Sequence, residues 1–334
     1  MRPVLVLPIA LIACGDDAVG PSDAGTDAAL GHDVGSVSDA SSPDVMEGGG
    51  DVDRPGARVT TFTDSGPITA VSGQVISKLR FQTSGAAIVV PQGVHDVVIE
   101  DCDFASTGGE AAIDASTTGK LTISHDTFRG GHRGVRARFP AALTLRKSLF
   151  QGSWTGALSS AIEIDYATKA TVADNWVRDA DGFTADVISI YASSHVRLVG
   201  NWVNATIAWK DAAPWTMGDW SPGDPNAASP GGNNYVAGNY SNQTGGVPAG
   251  IFGSDAATLL EHNCFASGIQ AYNYSGTFVG VTIRKNAYAS AVTPDGTGIL
   301  GEWSTNVVGS TPAEVPGGLG YLDENQVFVP TLTP

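Results

Sequence analysis

Short stretches of alternating apolar and polar residues recur along the chain. Each copy begins apolar–polar–apolar, continues through two further residues to a small residue, and places an aromatic residue or valine two positions later. We call the small residue of each copy the ladder position. The ladder positions are Cys102, Asp126, Ser148, Asn175, Asn201, Asn239, Asn263 and Asn286. Alternation with a period of two predicts a β-strand in each copy.

The ladder positions are separated by 24, 22, 27, 26, 38, 24 and 23 residues. A nearly constant period in this range is typical of a solenoid, in which successive coils stack on one another. Asn and Asp tolerate the left-handed backbone of a tight corner, and stacked Asn side chains can hydrogen-bond along the axis. The chain has no long run at helical spacing and no Leu-x-x-Leu-x-Leu frame, which argues against helical and leucine-rich solenoids.

The pattern Val-x-Ile-x-x-Asn-x-Phe resembles the repeat of the right-handed parallel β-helix, or pectate-lyase-like, superfamily. The resemblance covers roughly residues 59–330 and implies an all-β solenoid. It does not define an activity, because the same scaffold carries lyases, hydrolases, epimerases, adhesins and structural proteins.

A second strand is predicted about twelve residues before each ladder position. Its outward-facing residues form two rows on successive coils: Asp114, Arg136, Glu163 and Ser189, and beside them Ser116, Arg138, Asp165 and Tyr191. In enzymes of this superfamily the substrate groove usually lies along this sheet. The resemblance therefore implies catalytic candidates, which are Arg136, Glu163, Asp165, Arg138 and Asp114, with Tyr191 and His132 as substrate-binding candidates. The alternative is an exposed series of ion pairs, each of which contributes little to stability.

Six basic residues fall within 19 positions of a chain that has only 18 Lys and Arg: Arg129, Arg133, Arg136, Arg138, Arg146 and Lys147. A basic patch on a protein of net charge −16 favours an anionic small partner such as a uronate or sulfated sugar. Nucleic acid is not expected as a partner, because the overall field repels a phosphate backbone. The alternative is that neighbouring carboxylates neutralise the patch.

The long interval between Asn201 and Asn239 predicts a surface excursion over roughly residues 205–233. Long loops in compact domains tend to be functional, and exposed aromatic side chains commonly mark binding surfaces. We therefore expect the three tryptophans of this segment to bind sugar, although they could instead fold back on the solenoid: Trp209, Trp215 and Trp220. Trp176 and Trp202, each directly after a ladder Asn, are predicted to pack together.

The segment from Asp179 through Asp181 to Asp186 resembles part of a calcium-binding loop, although Val177 and Ile188 stand where an EF-hand has its first Asp and closing Glu. It predicts a weak Ca²⁺ site, and no other cofactor is indicated. Cys102 and Cys264 lie six coils apart. Because a coil rises about 4.8 Å and a disulfide needs Cα atoms within about 7 Å, both are predicted to be free and buried.

The N-terminus has the features of an export signal, with Arg2 before an apolar stretch too short to span a bilayer. The stretch ends in Leu-Ile-Ala-Cys, which resembles a bacterial lipobox and implies lipidation at Cys14. Residues 15–57 contain ten acidic residues and one Arg and have no aromatic residue, so we predict a disordered linker. The predicted organisation is a signal peptide (1–14), this linker and a β-helix domain (58–334), anchored by lipid to a bacterial outer membrane or cell surface.

Two hypotheses for function follow. The first is a surface-tethered enzyme acting on an anionic polysaccharide, either as a lyase, with Arg136 and Arg138 as base and charge-neutralising group, or as a glycoside hydrolase, with Glu163 and Asp165 as the two carboxyl groups. The second is a non-enzymatic polysaccharide-binding, adhesion or structural protein. The polygalacturonase motifs are absent and the pectate-lyase signatures are incomplete. We expect a monomer in either case.

Overall fold

The computed structural model describes residues 54–106, 108–218, 232–252, 258–265, 269–272, 277–288, 297–300, 307–308, 321–322 and 328–329. Within these residues the fold is all-β, with no α-helix, and its strands pair in parallel from coil to coil. The predicted right-handed parallel β-helix is confirmed. Each complete coil contributes one strand to each of three sheets, A, B and C, in that order along the chain.

Sheet A has eleven strands, which are β1 (Thr63–Ser65), β4 (Leu79–Thr83), β7 (Asp103–Ser106), β10 (Thr127–Gly131), β13 (Leu149–Trp154), β16 (Trp176–Phe183), β19 (Trp202–Ile207), β22 (Tyr240–Ser241), β25 (Cys264–Phe265), β28 (Ala287–Tyr288) and β30 (Val307–Val308). Sheet B has nine strands, which are β2 (Ile68–Thr69), β5 (Ile88–Val90), β8 (Ala111–Ser116), β11 (Arg133–Arg138), β14 (Ser160–Asp165), β17 (Ile188–Tyr191), β20 (Trp215–Gly218), β23 (Ala249–Phe252) and β26 (Ile269–Tyr272).

Sheet C has ten strands, which are β3 (Val75–Ser77), β6 (Val97–Glu100), β9 (Lys120–Ser124), β12 (Ala142–Arg146), β15 (Ala170–Ala173), β18 (Val196–Val199), β21 (Tyr235–Ala237), β24 (Leu259–Glu261), β27 (Thr277–Arg284) and β29 (Thr297–Leu300). Two short strands, β31 (Tyr321–Leu322) and β32 (Phe328–Val329), pair antiparallel near the C-terminus. The strands of sheet C, which precede the ladder positions, and those of sheet B were predicted from the sequence. The strands of sheet A, which follow the ladder positions, were not predicted separately.

The ladder positions form a continuous hydrogen-bonded column at the corner between sheets C and A. The amide oxygen of Asn201 accepts hydrogen bonds from the backbone N–H and the side-chain amide of Asn175, at 3.1 and 2.9 Å. Asn239 and Asn263 repeat these contacts on the following coils. The column satisfies backbone donors that the corner leaves without a strand partner, and it fixes the height of one coil above the next.

The left-handed backbone of this corner belongs to the residue before each ladder position, not to the ladder residue as the sequence suggested. Six of these residues have φ between 50° and 57°, namely Asp101, His125, Lys147, Asp174, His262 and Lys285. Glycine occupies the same place at Gly200 and Gly238. The ladder side chain is therefore free to serve the axial column.

The interior beside this column is a stack of aromatic rings and aliphatic side chains. Phe81, Phe104, Phe128 and Phe150 lie parallel, with ring centroids 5.1, 4.8 and 4.5 Å apart along the stack. Cys102 and Cys264 are free and buried, as predicted, and burial raises the pKa of Cys102 to about 12. Trp176 and Trp202 are buried and in contact, edge to face, with centroids 6.0 Å apart.

Residues 54–58 form a strap that crosses three coils on the outside of the solenoid. The Gly56 N–H donates to the Lys147 carbonyl at 2.8 Å, and the Ala57 N–H donates to the Thr127 hydroxyl at 3.1 Å. Arg58 donates from its backbone and its guanidinium to Asp101. Contacts with the solenoid therefore begin a few residues before position 58, where the sequence placed the start of the domain.

Asp126 is the one carboxylic acid among the described ladder residues. It is fully buried, and its Oδ1 accepts the Cys102 N–H at 2.7 Å, while Oδ2 has no hydrogen-bond partner. Burial raises the pKa of Asp126 well above its ordinary range, although the Cys102 N–H opposes this. An asparagine at this position would be neutral without binding a proton and would keep the oxygen that accepts the Cys102 N–H.

We predict that Asp126→Asn raises the free energy of unfolding at pH 7 by about 1 kcal/mol or more, because Asn is neutral at this fully buried position without binding a proton. The difference in stability between Asp126→Asn and wild type grows as pH rises. An acid whose pKa is higher in the folded protein than in the unfolded chain makes the folded protein less stable as pH rises. Urea denaturation across this pH range measures both effects. Asn201→Asp is the matched control and lowers stability. An Asp126→Asn protein less stable than wild type at pH 7 would contradict the assignment.

Candidate functional site

The outward rows of sheet B lie in the register that the sequence predicted. Arg136 pairs with Asp114 on one side and with Glu163 on the other. Arg138 pairs with Asp165, which in turn pairs with Tyr191. We call this charged surface, formed by Asp114, Arg133, Arg136, Arg138, Glu163, Asp165, Ser189 and Tyr191, the sheet B face.

Ion pairs neutralise most of the charge on the sheet B face. Arg136 holds Asp114 through two hydrogen bonds of 3.1 and 2.7 Å. The Arg133 Nε lies 2.6 Å from Glu163 Oε2, close enough for an ion pair although the N–H is not aligned for a hydrogen bond. Burial lowers the pKa of Arg136, but the hydrogen bonds and charge of Asp114 outweigh it and leave that pKa above its ordinary value.

The predicted basic patch does not form one surface. Arg129 lies on sheet A, where it binds Asp103 at 2.6 Å, and Arg146 ends a strand of sheet C. Only Arg133, Arg136 and Arg138 share sheet B. Residues close together in sequence are dispersed because a coil turns through all three sheets within about two dozen residues. The expectation of a concentrated basic patch was therefore wrong.

Asp165 is the least compensated acid on the sheet B face. Arg138 Nε approaches Asp165 Oδ2 only to 4.0 Å, and the side chain of Asp165 is 17% exposed. Burial raises the pKa of Asp165 to about 7, the neighbouring charge of Glu163 adds to this, and Arg138 opposes it. Asp165 can therefore hold or release a proton near neutral pH, two residues from the ion-paired carboxylate of Glu163 on the same strand face.

A row of aromatic rings borders the sheet B face where its strands end. Phe139 stacks on Tyr166 with centroids 4.8 Å apart, and Tyr166 meets Tyr191 edge-on at 5.5 Å. Phe139 and Tyr166 have φ of 60° and 56°, a backbone conformation that is uncommon for bulky side chains. We call these three residues the aromatic row. Of these three residues, only Tyr191 was predicted as a site residue. The 27-residue offset that aligns Arg138 with Asp165 also aligns Phe139 with Tyr166 and could have revealed the pair.

His132 does not present its ring to the sheet B face. It is 8% exposed, and its Nε2 contacts the carbonyl oxygen of Ala157 at the turn before sheet B. The ring also lies against Gly156, where a Cβ atom would approach the imidazole. His132 packs the turn between coils, and the prediction that it binds substrate is not supported by this position.

A strand lies within the segment that the sequence predicted as one long tryptophan loop. Trp215 begins strand β20, is 1% exposed and packs on Phe265 with centroids 5.4 Å apart, so it belongs to the core. Trp215 was predicted to lie in the loop because the short apolar strand that contains it is surrounded by residues rich in Pro and Gly, and its strand pattern is not visible in the sequence. Trp209 is 49% exposed, and its indole N–H donates to Asp211 at 3.3 Å. Trp220 lies outside the described residues.

The three aspartates of the predicted calcium loop do not converge. Asp179 and Asp181 are exposed on strand β16. Asp186 accepts hydrogen bonds from the Ala213 N–H at 2.8 Å and the Thr216 hydroxyl at 2.7 Å. In the part of the chain that the structure describes, no three His, Cys, Asp or Glu side chains are placed to hold a metal ion. The calcium prediction is therefore wrong for these residues, since the loop is drawn into strand pairing.

Cys14, the predicted lipidation site, lies outside the described residues, as does almost all of the predicted linker. Within the described residue ranges, no helix has the length and apolar character needed to cross a membrane.

Comparison with known proteins supports the architecture. Residues 68–213 match the family model described as the right handed beta helix region, in agreement with the three-sheet solenoid. The comparison with curated proteins gave no match. Among solved structures, HetL, a pentapeptide repeat protein involved in heterocyst differentiation regulation from the cyanobacterium Nostoc sp. strain PCC 7120, is 11% identical, with 79% of this chain and 93% of HetL covered and a TM-score of 0.21. That similarity supports no conclusion about this chain.

The raised pKa of Asp165 predicts a specific pH dependence of the free energy of unfolding. Its pKa is raised from 3.8 to about 7, so the folded protein binds more protons than the unfolded chain between these values, and stability is lost as pH rises through this window. Asp165→Asn should make the free energy of unfolding fall less steeply between about pH 4 and about pH 8. Urea denaturation measures the slope, with Asp179→Asn as a control on an exposed acid. An unchanged slope in Asp165→Asn would show that Asp165 titrates normally.

Proposed function

We propose that this protein is a carbohydrate-active β-helix that binds a polysaccharide along the sheet B face. The observation that carries the proposal is the aromatic row beside the charged rows, with both running parallel to the solenoid axis. Phe139 is 41% exposed and offers apolar surface to a sugar ring, while carboxylates and guanidinium groups suit the hydroxyl and acid substituents of the sugar. A linear polymer lying along the axis can contact both sets of residues on successive coils.

The chemistry that the site supports best is glycoside hydrolysis. This reaction needs a proton-donating carboxyl group and a second, ionised carboxylate, and acid–base pairs are recognised by environments that separate their protonation. Asp165, whose pKa is raised to about 7, suits the acid, and Glu163, paired with Arg133, suits the ionised group. A lyase reaction with Arg136 as base is disfavoured, because Asp114 engages its guanidinium and raises its pKa.

Arg138 favours an anionic polymer. Its side chain is 38% exposed, and its distance of 4.0 Å from Asp165 leaves it weakly engaged. When Asp165 holds a proton, Arg138 loses its partner and can bind the carboxylate of an acidic sugar. The proposed substrate class is therefore a polysaccharide that contains uronate residues.

Binding without catalysis is the second candidate. Neutralisation of Arg133 and Arg136 by Glu163 and Asp114 supports it, because a catalytic carboxylate in an ion pair is less available for reaction. In either case we propose that the protein is exported and held at a bacterial surface by a lipid on Cys14, beyond the acidic segment 15–57.

An activity assay separates these functions. We expect the protein incubated with polygalacturonate or alginate to release reducing ends, and we expect Glu163→Gln and Asp165→Asn each to slow release by about 100-fold or more. Asp179→Asn, on a different sheet, should retain the wild-type rate. New absorbance from unsaturated ends would instead assign a lyase and overturn the hydrolytic roles.

A binding assay on the same polymers completes the test. Tyr166→Ala should weaken retention on affinity gels, because it interrupts the aromatic row. Binding without release of reducing ends would establish the second candidate, whereas no retention of any uronate polymer would refute the sheet B face as a polysaccharide site.

Lipidation is tested independently of polysaccharide. We expect the protein expressed in a Gram-negative host to fractionate with membranes and to incorporate labelled palmitate, and we expect Cys14→Ser to abolish both. Incorporation that persists in Cys14→Ser would refute the anchor.

A further inference from the structure

A second concave site lies at the opposite edge of sheet B, where the chain passes from sheet A into sheet B. Its cavity volume is about 260 Å³, and it is lined by Leu158, Thr184, Ala185, Asp186, Trp209, Asp211 and Ala212. We call it the Trp209 cleft. It is separate from the aromatic row, because its residues precede strands β14, β17 and β20 whereas the aromatic row follows the ends of sheet B strands.

Two large apolar side chains of the cleft are exposed. Leu158 is 56% exposed and Trp209 is 49% exposed. Leu158 is also held at φ 62°, a left-handed conformation that a leucine adopts only where its surroundings impose it. Exposed apolar groups in a concavity indicate a ligand site.

The indole of Trp209 has a hydrogen bond to a neighbouring side chain. Its N–H donates to Asp211 Oδ2, and Lys210 Nζ binds the same oxygen at 2.5 Å. At the other side of the cleft, Asp186 is anchored by the Ala213 N–H and the Thr216 hydroxyl. The hydrogen bond to Asp211 favours one orientation of the indole before a ligand stacks on it.

The polar groups of the cleft define the ligand by its charge and hydrogen bonding. Asp186 and Asp211 offer carboxylate oxygens, each with capacity for a further donor, and Thr184 offers a hydroxyl. The only cation that contacts the described lining residues through an ion pair is Lys210, whose side chain is 84% exposed and already paired with Asp211. The site therefore accepts hydroxyl donors and disfavours anions.

We propose that the Trp209 cleft binds one ring of a neutral pyranose sugar, with the ring face on the indole and its hydroxyl groups donating to Asp186 and Asp211. The cavity is slightly smaller than the roughly 300 to 1,000 Å³ of pockets for drug-sized ligands, which suits a single ring. The Trp209 cleft does not depend on the sheet B face. It is proposed to prefer a neutral sugar, whereas the sheet B face is proposed to prefer an acidic one.

The test uses methyl glycosides of glucose, galactose, mannose and xylose as probes, with methyl glucuronide as the acidic comparison. We expect saturation-transfer NMR and calorimetry to show weak, millimolar binding of at least one neutral glycoside, and about tenfold weaker binding in Trp209→Ala. Asp211→Asn, which keeps the shape of the side chain, should also weaken binding. Val71→Ala, at another exposed apolar residue, is the matched control and should bind as wild type.

Failure of this proposal is distinguishable from failure of the proposed function. Glu163→Gln should keep the affinity for the glycoside, and Trp209→Ala should keep the release of reducing ends from a uronate polymer. No binding of any neutral glycoside, equal binding by Trp209→Ala, or equal affinity for methyl glucuronide would overturn the assignment of the Trp209 cleft.

Discussion

The structure depends on the axial hydrogen bonds between successive ladder residues. At the corner between sheets C and A, a backbone N–H turns away from its strand neighbours and needs an acceptor. The side-chain amide of the next coil supplies it, at about 3 Å, from Asn175 through to Asn286. Because an unsatisfied buried donor is costly, this requirement reinforces the pitch and register that the parallel strand pairing sets.

Register is what makes a surface out of residues distant in sequence. Asp114, Arg136 and Glu163 become neighbours because the column aligns their coils. The same alignment places Phe139 on Tyr166 and gathers Leu158, Asp186 and Trp209 around one cleft. The sheet B face and the Trp209 cleft therefore both arise from the repeated coil. They differ in charge because different positions of the coil line them.

Much of this could be predicted from the sequence, because strand periodicity and a repeated corner residue determine the solenoid. The pairing of Arg136 with Glu163, and the absence of a disulfide between Cys102 and Cys264, follow from counting coils. Side-chain environments do not follow from counting. Trp215 has the same local sequence character as Trp209, yet only tertiary packing decides that it is buried. The arginines near residue 136 form a cluster in sequence, but the turn of each coil sends Arg129 and Arg146 to other sheets.

The strap of residues 54–58 has a consequence for the order in which the chain is assembled. The ribosome makes residues 54–58 before the residues to which they bond, and the last of these, Lys147, is made after the second ladder residue, Asp126, and directly before the third, Ser148. Until then the strap has no complete docking surface, and the outer edge of the first coils is uncovered. The strap can therefore dock fully only after the chain has been made as far as Lys147, so a ribosome stalled between Asp101 and Lys147 would hold first coils that the strap does not yet cover.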